Sequence, residues 1–171
     1  MESSTIDNLC NKYSSYYQNK DEDSKGYRFR KLCKNDLNSD YFSLLQELTT
    51  SPYPENKEDI YAHFDTMINS GLLILVVIEE IESRKIIGSG SLILEPKLIH
   101  GLSYVGHIED IVISTTCRGK GLGKNLINLL CDISESKGCY KVILDCSEDN
   151  AKFYEKCGMK RKSLQYEKRF G

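Results

Sequence analysis

No stretch of this 171-residue chain is apolar for the ~18 residues that a membrane-spanning helix needs. Positive charge is not in excess either: 23 Lys and Arg stand against 25 Asp and Glu, for a net charge of −2. The basic footprint of a general nucleic-acid binder is therefore missing, and no nucleic-acid partner is expected. No C-x-x-C pair occurs. The seven cysteines (Cys10, Cys33, Cys117, Cys131, Cys139, Cys146 and Cys157) are odd in number, and several lie in apolar runs. That excludes a disulfide framework or a zinc site and leaves reduced, partly buried thiols, with no metal expected. No internal repeat is present. The opening "MESSTIDNLCNKYSSYYQNKDEDSKG" lacks the apolar core of a secretory signal, so a cytoplasmic location is expected.

What is present suits one globular domain, since 40% of the residues are hydrophobic. Residues 1–26 are polar and read as a loosely ordered N-terminal extension, with at most a short helical piece. Residues 27–171 read as the functional domain. Alternation makes "YRFRKL" (27–32) a strand, and "SDYFSLLQELT" (39–49) and "NKEDIYAHFDTMINS" (56–70) read as helices separated by the breaker "SPYP". Strands follow at 72–80, 85–96 and 104–114. A helix runs from Leu122 to Ser136, with Leu122, Leu126, Leu129, Leu130 and Ile133 on one face. "CYKVILDC" (139–146) is a buried strand, 147–158 a helix ending at Gly158, and 161–170 a last strand. The order predicts an α/β domain with a mixed sheet.

The chemistry concentrates where the 104–114 strand meets the next helix, in Arg118-Gly119-Lys120-Gly121-Leu122-Gly123-Lys124. A helix N-terminus offers unpaired N–H groups and a partial positive charge, and glycines let a phosphate approach that backbone. A Walker loop fails twice here: Arg118 stands at its first glycine and Asn125 at its Ser/Thr. The dinucleotide pattern fails because the spacing is G-x-G-x-G. The pattern [R/Q]-x-x-G-x-[G/A], a coenzyme A pyrophosphate loop, matches residues 118–123.

With that loop in place, the chain resembles the GNAT acetyltransferase superfamily. "GHIEDIVIS…RGKGLGKNLI", "GCYKVILDC", "NAKFYEKCGM" and "KLIH" (97–100) together resemble the eukaryotic GNAT enzymes that acetylate glucosamine 6-phosphate. The resemblance covers roughly residues 27–170. It implies the GNAT fold: a mixed, mostly antiparallel central sheet flanked by helices, with two strands splayed apart at the acetyl-CoA site. It also implies acetyl-CoA as cosubstrate, direct attack by the amine in a ternary complex, a place in UDP-N-acetylglucosamine synthesis, and a homodimer that shares its active sites. Other amines (a peptide N-terminus, a polyamine, an aminoglycoside) remain the alternative, and a non-catalytic acyl-CoA-binding module is a further rival. A polyamine site would want an acidic lining, whereas "KLIH" and Arg169 supply cations.

Residue by residue, the resemblance places the backbone of Ile111, Val112 and Ile113 along the pantetheine arm. It places Arg118, Gly119, Lys120, Gly121, Leu122, Gly123 and Lys124 at the pyrophosphate, and Tyr154, Glu155 and Lys156 at the cofactor. Tyr154 is the implied acid for the departing thiolate. Asp145 is the first choice to orient the amine and Glu109 the second choice as base. Thr49, Lys97, Leu98, Ile99, His100, Glu109, Asp110, Ile111, Tyr140, Lys141, Asp145 and Arg169 are the implied sugar-phosphate contacts. From strand alternation alone, adjacent Glu109 and Asp110 are expected on opposite faces.

Overall fold

The computed structural model describes residues 2–18 and 26–170. The polar opening stretch is anchored to the body of the protein. Helix α1 (Glu2–Ser15) and the turn after it put Ile6, Cys10, Tyr13 and Tyr17 into the main core, at 3–8% exposure. Composition averaged this stripe away: four apolar residues at helical spacing suffice to seat a helix whose other faces are solvated. The expectation of loose order therefore does not hold for residues 2–18; residues 19–25 lie outside the described residues.

Strands β1 (Tyr27–Lys31), β2 (Leu73–Glu80), β3 (Ile86–Pro96), β4 (Tyr104–Ile113) and β5 (Cys139–Ile143) form one sheet in that order. β1 to β4 are antiparallel neighbours, and β5 joins β4 in parallel. Helix α4 (Leu122–Ser136) is the crossover between β4 and β5. Its Leu126, Leu129, Leu130 and Ile133 are 0% exposed against Leu92 and Ile108 of the sheet. Burial of each such side chain is worth roughly 1.5–3 kcal/mol.

The other sheet face carries helices α2 (Ser39–Leu45) and α3 (Lys57–Asn69). Each opens on an asparagine whose side-chain oxygen accepts an orphan N–H. Asn38 accepts from Asp40 and Tyr41, and Asn56 accepts from Glu58. A second apolar cluster of Leu32, Leu37, Tyr41, Ile60, Phe64 and Val77 lies beneath them. α2 stops at Leu45, short of its expected limit at residue 49, in a turn that leads to Pro52. Helix α5 (Glu148–Lys156) closes the fold. The last expected strand, 161–170, has no ladder partner among the described residues: Leu164, Tyr166 and Phe170 are 72%, 89% and 85% exposed.

Beside β1 a set of charges is enclosed. Arg30 donates two hydrogen bonds of 2.7 Å to Asp36 and one of 2.7 Å to Glu79, which also accepts from Arg28 at 2.7 Å. The Glu79 side chain is 4% exposed and that of Asp36 11%.

Strand β4 is irregular in two places. Its pairing with β5 stops at His107↔Ile143. Residues 108–113 therefore run on beyond their pairing with β5, with that edge open.

Candidate active site

The second irregularity of β4 is a bulge. Ser91 registers with Glu109 and Ser89 with Val112, so Asp110 and Ile111 together oppose Gly90. Asp110 adopts φ 54°, a left-handed conformation that is uncommon outside glycine and concentrates at functional sites. The extra residue breaks the alternation of side chains. Ile108 packs under α4, while Ser91, the cross-strand partner of Glu109, lines the cavity below α2 and α3. Asp110 lines that same cavity, and Ile111 turns back towards Leu126 and Leu130 at Gly90. Glu109 and Asp110 thus share a face. The opposite faces expected from alternation are overturned by one inserted residue.

The cavity holds about 430 Å³, and Tyr41, Phe42, Thr49, Thr50, Ser91 and Asp110 contribute to its wall. Tyr41 pairs with Ser89 at 2.9 Å across it. The Glu109 carboxyl is pushed above its ordinary value, by burial first and then by the charges of Asp145 and Asp110. Asp145 lies exposed, two residues past the end of β5. Tyr154, on α5, is half-buried against the main core with its ring 5.0 Å from that of Phe153. Burial raises its phenol, and Cys146, Cys157, Asp145 and Glu109 add to the effect. Its hydroxyl has no hydrogen-bond partner among the described residues. Glu109, Asp145 and Tyr154 therefore lie near enough to feel one another's charge, beyond the point where β4 and β5 stop pairing.

The turn leading to α4 has the backbone of an anion cradle. Gly119 and Gly121 both sit at φ 79°, and Gly121 is the N-cap of α4 with no side chain capping the first turn. Among the described residues the amides of Leu122, Gly123 and Lys124 have no partner outside the helix, the arrangement that suits a helix N-terminus to an anion. Gly123 serves another purpose: a Cβ there would meet the Phe153 ring at 3.2 Å, so its bareness lets α5 approach α4.

The cations are arranged differently from expectation. Arg118 turns back, its Nε donating to the Ile113 carbonyl at 3.2 Å. Lys120 donates to Tyr27 Oη at 2.6 Å. Lys124 is exposed and makes no hydrogen bond or ion pair among the described residues. Leu122 is 1% exposed, so only its backbone faces the turn. Val112 is 4% exposed, Ile113 leans on Gly123, and Glu155 and Lys156 are exposed at the end of α5.

The remaining expected substrate residues are not gathered here within one chain. The β3–β4 hairpin carries Lys97, Leu98, Ile99 and His100 beside the start of β4, where Val105 pairs with Lys141. Glu109 lies five residues on from Tyr104, roughly 17 Å along the strand. Leu98 and Ile99 are 92% and 63% exposed. His100 packs its ring 4.2 Å from Tyr140, and Lys97 pairs with Glu95, which also pairs with His107 at 2.8 Å. Arg169 is exposed and bonded at 2.7 Å to Glu167.

One site-adjacent residue carries no sequence signal. Glu47, after α2, accepts from the Thr115 amide at 2.7 Å and from Ser114 Oγ at 3.2 Å, with Arg118 3.9 Å away. It ties the Thr49 segment to the turn before the glycines. Separation of 68 residues along the chain hides such a pair from any local pattern.

An open-edged β4 with a bulge, a glycine turn with free amides, and a crossover helix returning to a splayed parallel strand define an acyl-coenzyme A-dependent N-acetyltransferase frame. The profile of the Acetyltransferase (GNAT) family matches residues 33–159, and the chain belongs to that family. Among its relatives, the glucosamine 6-phosphate N-acetyltransferase of Arabidopsis thaliana is 40% identical over 150 residues, 84% of this chain and 97% of the relative. The enzyme of the same name from Trypanosoma brucei brucei is 44% identical, over 80% of this chain and 90% of its own. The crystal structure of the Arabidopsis thaliana enzyme superposes with a TM-score of 0.81 at 40% identity, covering 86% of this chain and all of that one.

Proposed function

We propose that the chain transfers the acetyl group of acetyl-CoA to the 2-amino group of glucosamine 6-phosphate. Support comes from relatives that carry this activity in their names, over four-fifths of the chain at about 40% identity. The single structural observation that carries it is the bulge at Asp110, which sets two carboxylates on the cavity face beside the cofactor cleft.

In this reading the amides of residues 119–124 hold the pyrophosphate, and the open edge of Ile111–Ile113 pairs with the pantetheine arm. The neutral amine attacks the thioester carbon, a C–N bond forms and the C–S bond breaks. Asp145 orients the amine, and Glu109 takes its proton. Tyr154 gives a proton to the thiolate. A buried phenol that stays protonated suits that role, and a carboxyl with raised affinity for protons suits a base.

The sugar phosphate needs cations that one chain does not bring to this cleft. We place Lys97, His100, Tyr140, Lys141 and Arg169 there through a second copy. The free edge of β5 and the exposed Leu164, Tyr166 and Phe170 of the segment after α5 support a homodimer. Residues 27–171, with α1 packed into the same core, form the catalytic domain in this reading, and the cytoplasm is its place of work.

The test is thiol release from acetyl-CoA against glucosamine 6-phosphate, glucosamine, a polyamine and a peptide amine, with sedimentation at the same concentration. The phosphorylated sugar is expected to win by about 10- to 100-fold in kcat/KM, the worth of a charge-assisted contact or two. No preference over plain glucosamine would overturn the substrate; a monomer of full activity would overturn the shared site.

The base assignment has its own pH signature. Because Glu109 holds its proton more firmly than an ordinary carboxyl, its basic form appears only above pH 4.5. The acid limb of kcat/KM, which reports the free enzyme once the sugar's own amine ionisation is allowed for, should therefore lie above 4.5. Glu109→Gln should abolish that limb and lower kcat by about 10²-fold or more. An unchanged limb in the variant would move the base to another residue.

A further inference from the structure

We propose that Tyr17, from the segment after α1, is a positioning residue that locks the Lys120–Gly121 peptide in the orientation that receives the cofactor's phosphate. The proposal rests on the reading of residues 119–124 as the pyrophosphate cradle.

α1 crosses α4 in the antiparallel sense. Near its end, Tyr13 Oη and Lys12 Nζ both donate to Asp132 at 3.0 Å. One turn on, Tyr17 Oη accepts from Asn125 Nδ2 at 2.7 Å. Asn125 precedes Asp132 by two helical turns, so the chain leaves α1 directly over the first turn of α4. Having accepted from Asn125, the Tyr17 hydroxyl keeps its proton for the Lys120 carbonyl, 3.5 Å away. A trans peptide is planar, with C=O and N–H on opposite sides. A Lys120 carbonyl held towards Tyr17 therefore turns the Gly121 N–H away from α1, outward from the core.

That orientation needs a lock. The peptide flips by rotation about ψ of Lys120 and φ of Gly121, and Gly121, at φ 79°, pays little to leave that conformation. Flipped, the same peptide would present a carbonyl oxygen to a phosphate. A second contact braces the first. Lys120 Nζ donates to Tyr27 Oη at 2.6 Å, and the Tyr27 ring meets that of Tyr17 edge-on at 5.8 Å. The family profile begins at residue 33, so both tyrosines lie before the matched region.

The experiment measures acetyl-CoA affinity by calorimetry and KM for each substrate in the full-length protein. Tyr17→Phe keeps the ring and its packing and removes the hydroxyl. It should weaken acetyl-CoA about three- to tenfold, with kcat and the KM for the sugar within twofold of the parent. Asn125→Leu removes the donor that fixes the hydroxyl and should act in the same direction. Tyr13→Phe, which breaks the Asp132 contact two turns from the loop, should lower the melting temperature yet leave acetyl-CoA affinity within twofold. A folded Tyr17→Phe that binds acetyl-CoA like the parent overturns the proposal. So does an equal loss in Tyr13→Phe, which would reduce Tyr17 to part of a helix anchor. Gly121→Val separates premise from proposal: it should weaken acetyl-CoA at least tenfold. Unchanged affinity in a folded Gly121→Val protein removes the cradle itself, and with it the role of Tyr17.

Discussion

Replacing Tyr154 by phenylalanine is expected to lower kcat about 10²- to 10⁴-fold, with acetyl-CoA affinity within twofold of the parent. Phenylalanine retains the ring that packs on the core and on Phe153. Only the hydroxyl goes, and among the described residues that hydroxyl supports no hydrogen bond, so the fold loses little. Burial, with Cys146, Cys157, Asp145 and Glu109 around it, raises the phenol, which suits the acid role proposed for Tyr154. The loss belongs to the step that expels the thiolate, and a faster leaving group should restore much of it. Pre-steady-state thiol release with acetyl-CoA checks this. A kcat within twofold of the parent would assign the proton to water or another group.

Arg30→Met is expected to destabilise the protein by about 3 kcal/mol, because it strips Asp36 of its bidentate cation and Glu79 of one of its donors. Methionine fills most of the space, so the loss reports charge rather than a cavity. Lys12→Met, at an exposed pair with Asp132, should cost under about 1 kcal/mol. Urea unfolding of both variants decides: equal costs would mean the enclosed network contributes nothing special.

The sign with pH is also set. Burial opposes ionisation of Asp36 and Glu79, but hydrogen bonds from arginines outweigh it and hold both carboxyls below their ordinary 3.8 and 4.5. Their contribution is complete above those values and fades as pH falls through the depressed ones. Parent and Arg30→Met should therefore converge in stability as the medium is acidified below about pH 4.

The interior of the domain was legible from local pattern. The apolar stripe Leu122–Ile133 reads as a buried helix at once, because helical spacing of branched side chains admits one face towards a core. The glycine turn was legible as well, since positive φ at residues 119 and 121 is a demand that glycine alone meets cheaply. α1 was half legible: its stripe exists, but a polar average concealed it. The fate of 161–170 was not legible, because a strand pattern states which faces are apolar and says nothing of which edge receives it.

Local sequence by itself determined the order of elements from β1 to α5, the glycine turn before α4 and the types of side chain available for catalysis. These follow from rules that act within a few residues. Tertiary structure alone decided that Glu109 and Asp110 share a face, that Arg118 and Lys120 turn onto Ile113 and Tyr27, and that Glu47 and Tyr17 reach the turn from distant parts of the chain. The bulge inserts a residue against a partner strand, and each of the other contacts joins groups that meet only once the sheet and helices have packed. Pairings of that kind are set by register and burial between distant segments, which no local window contains.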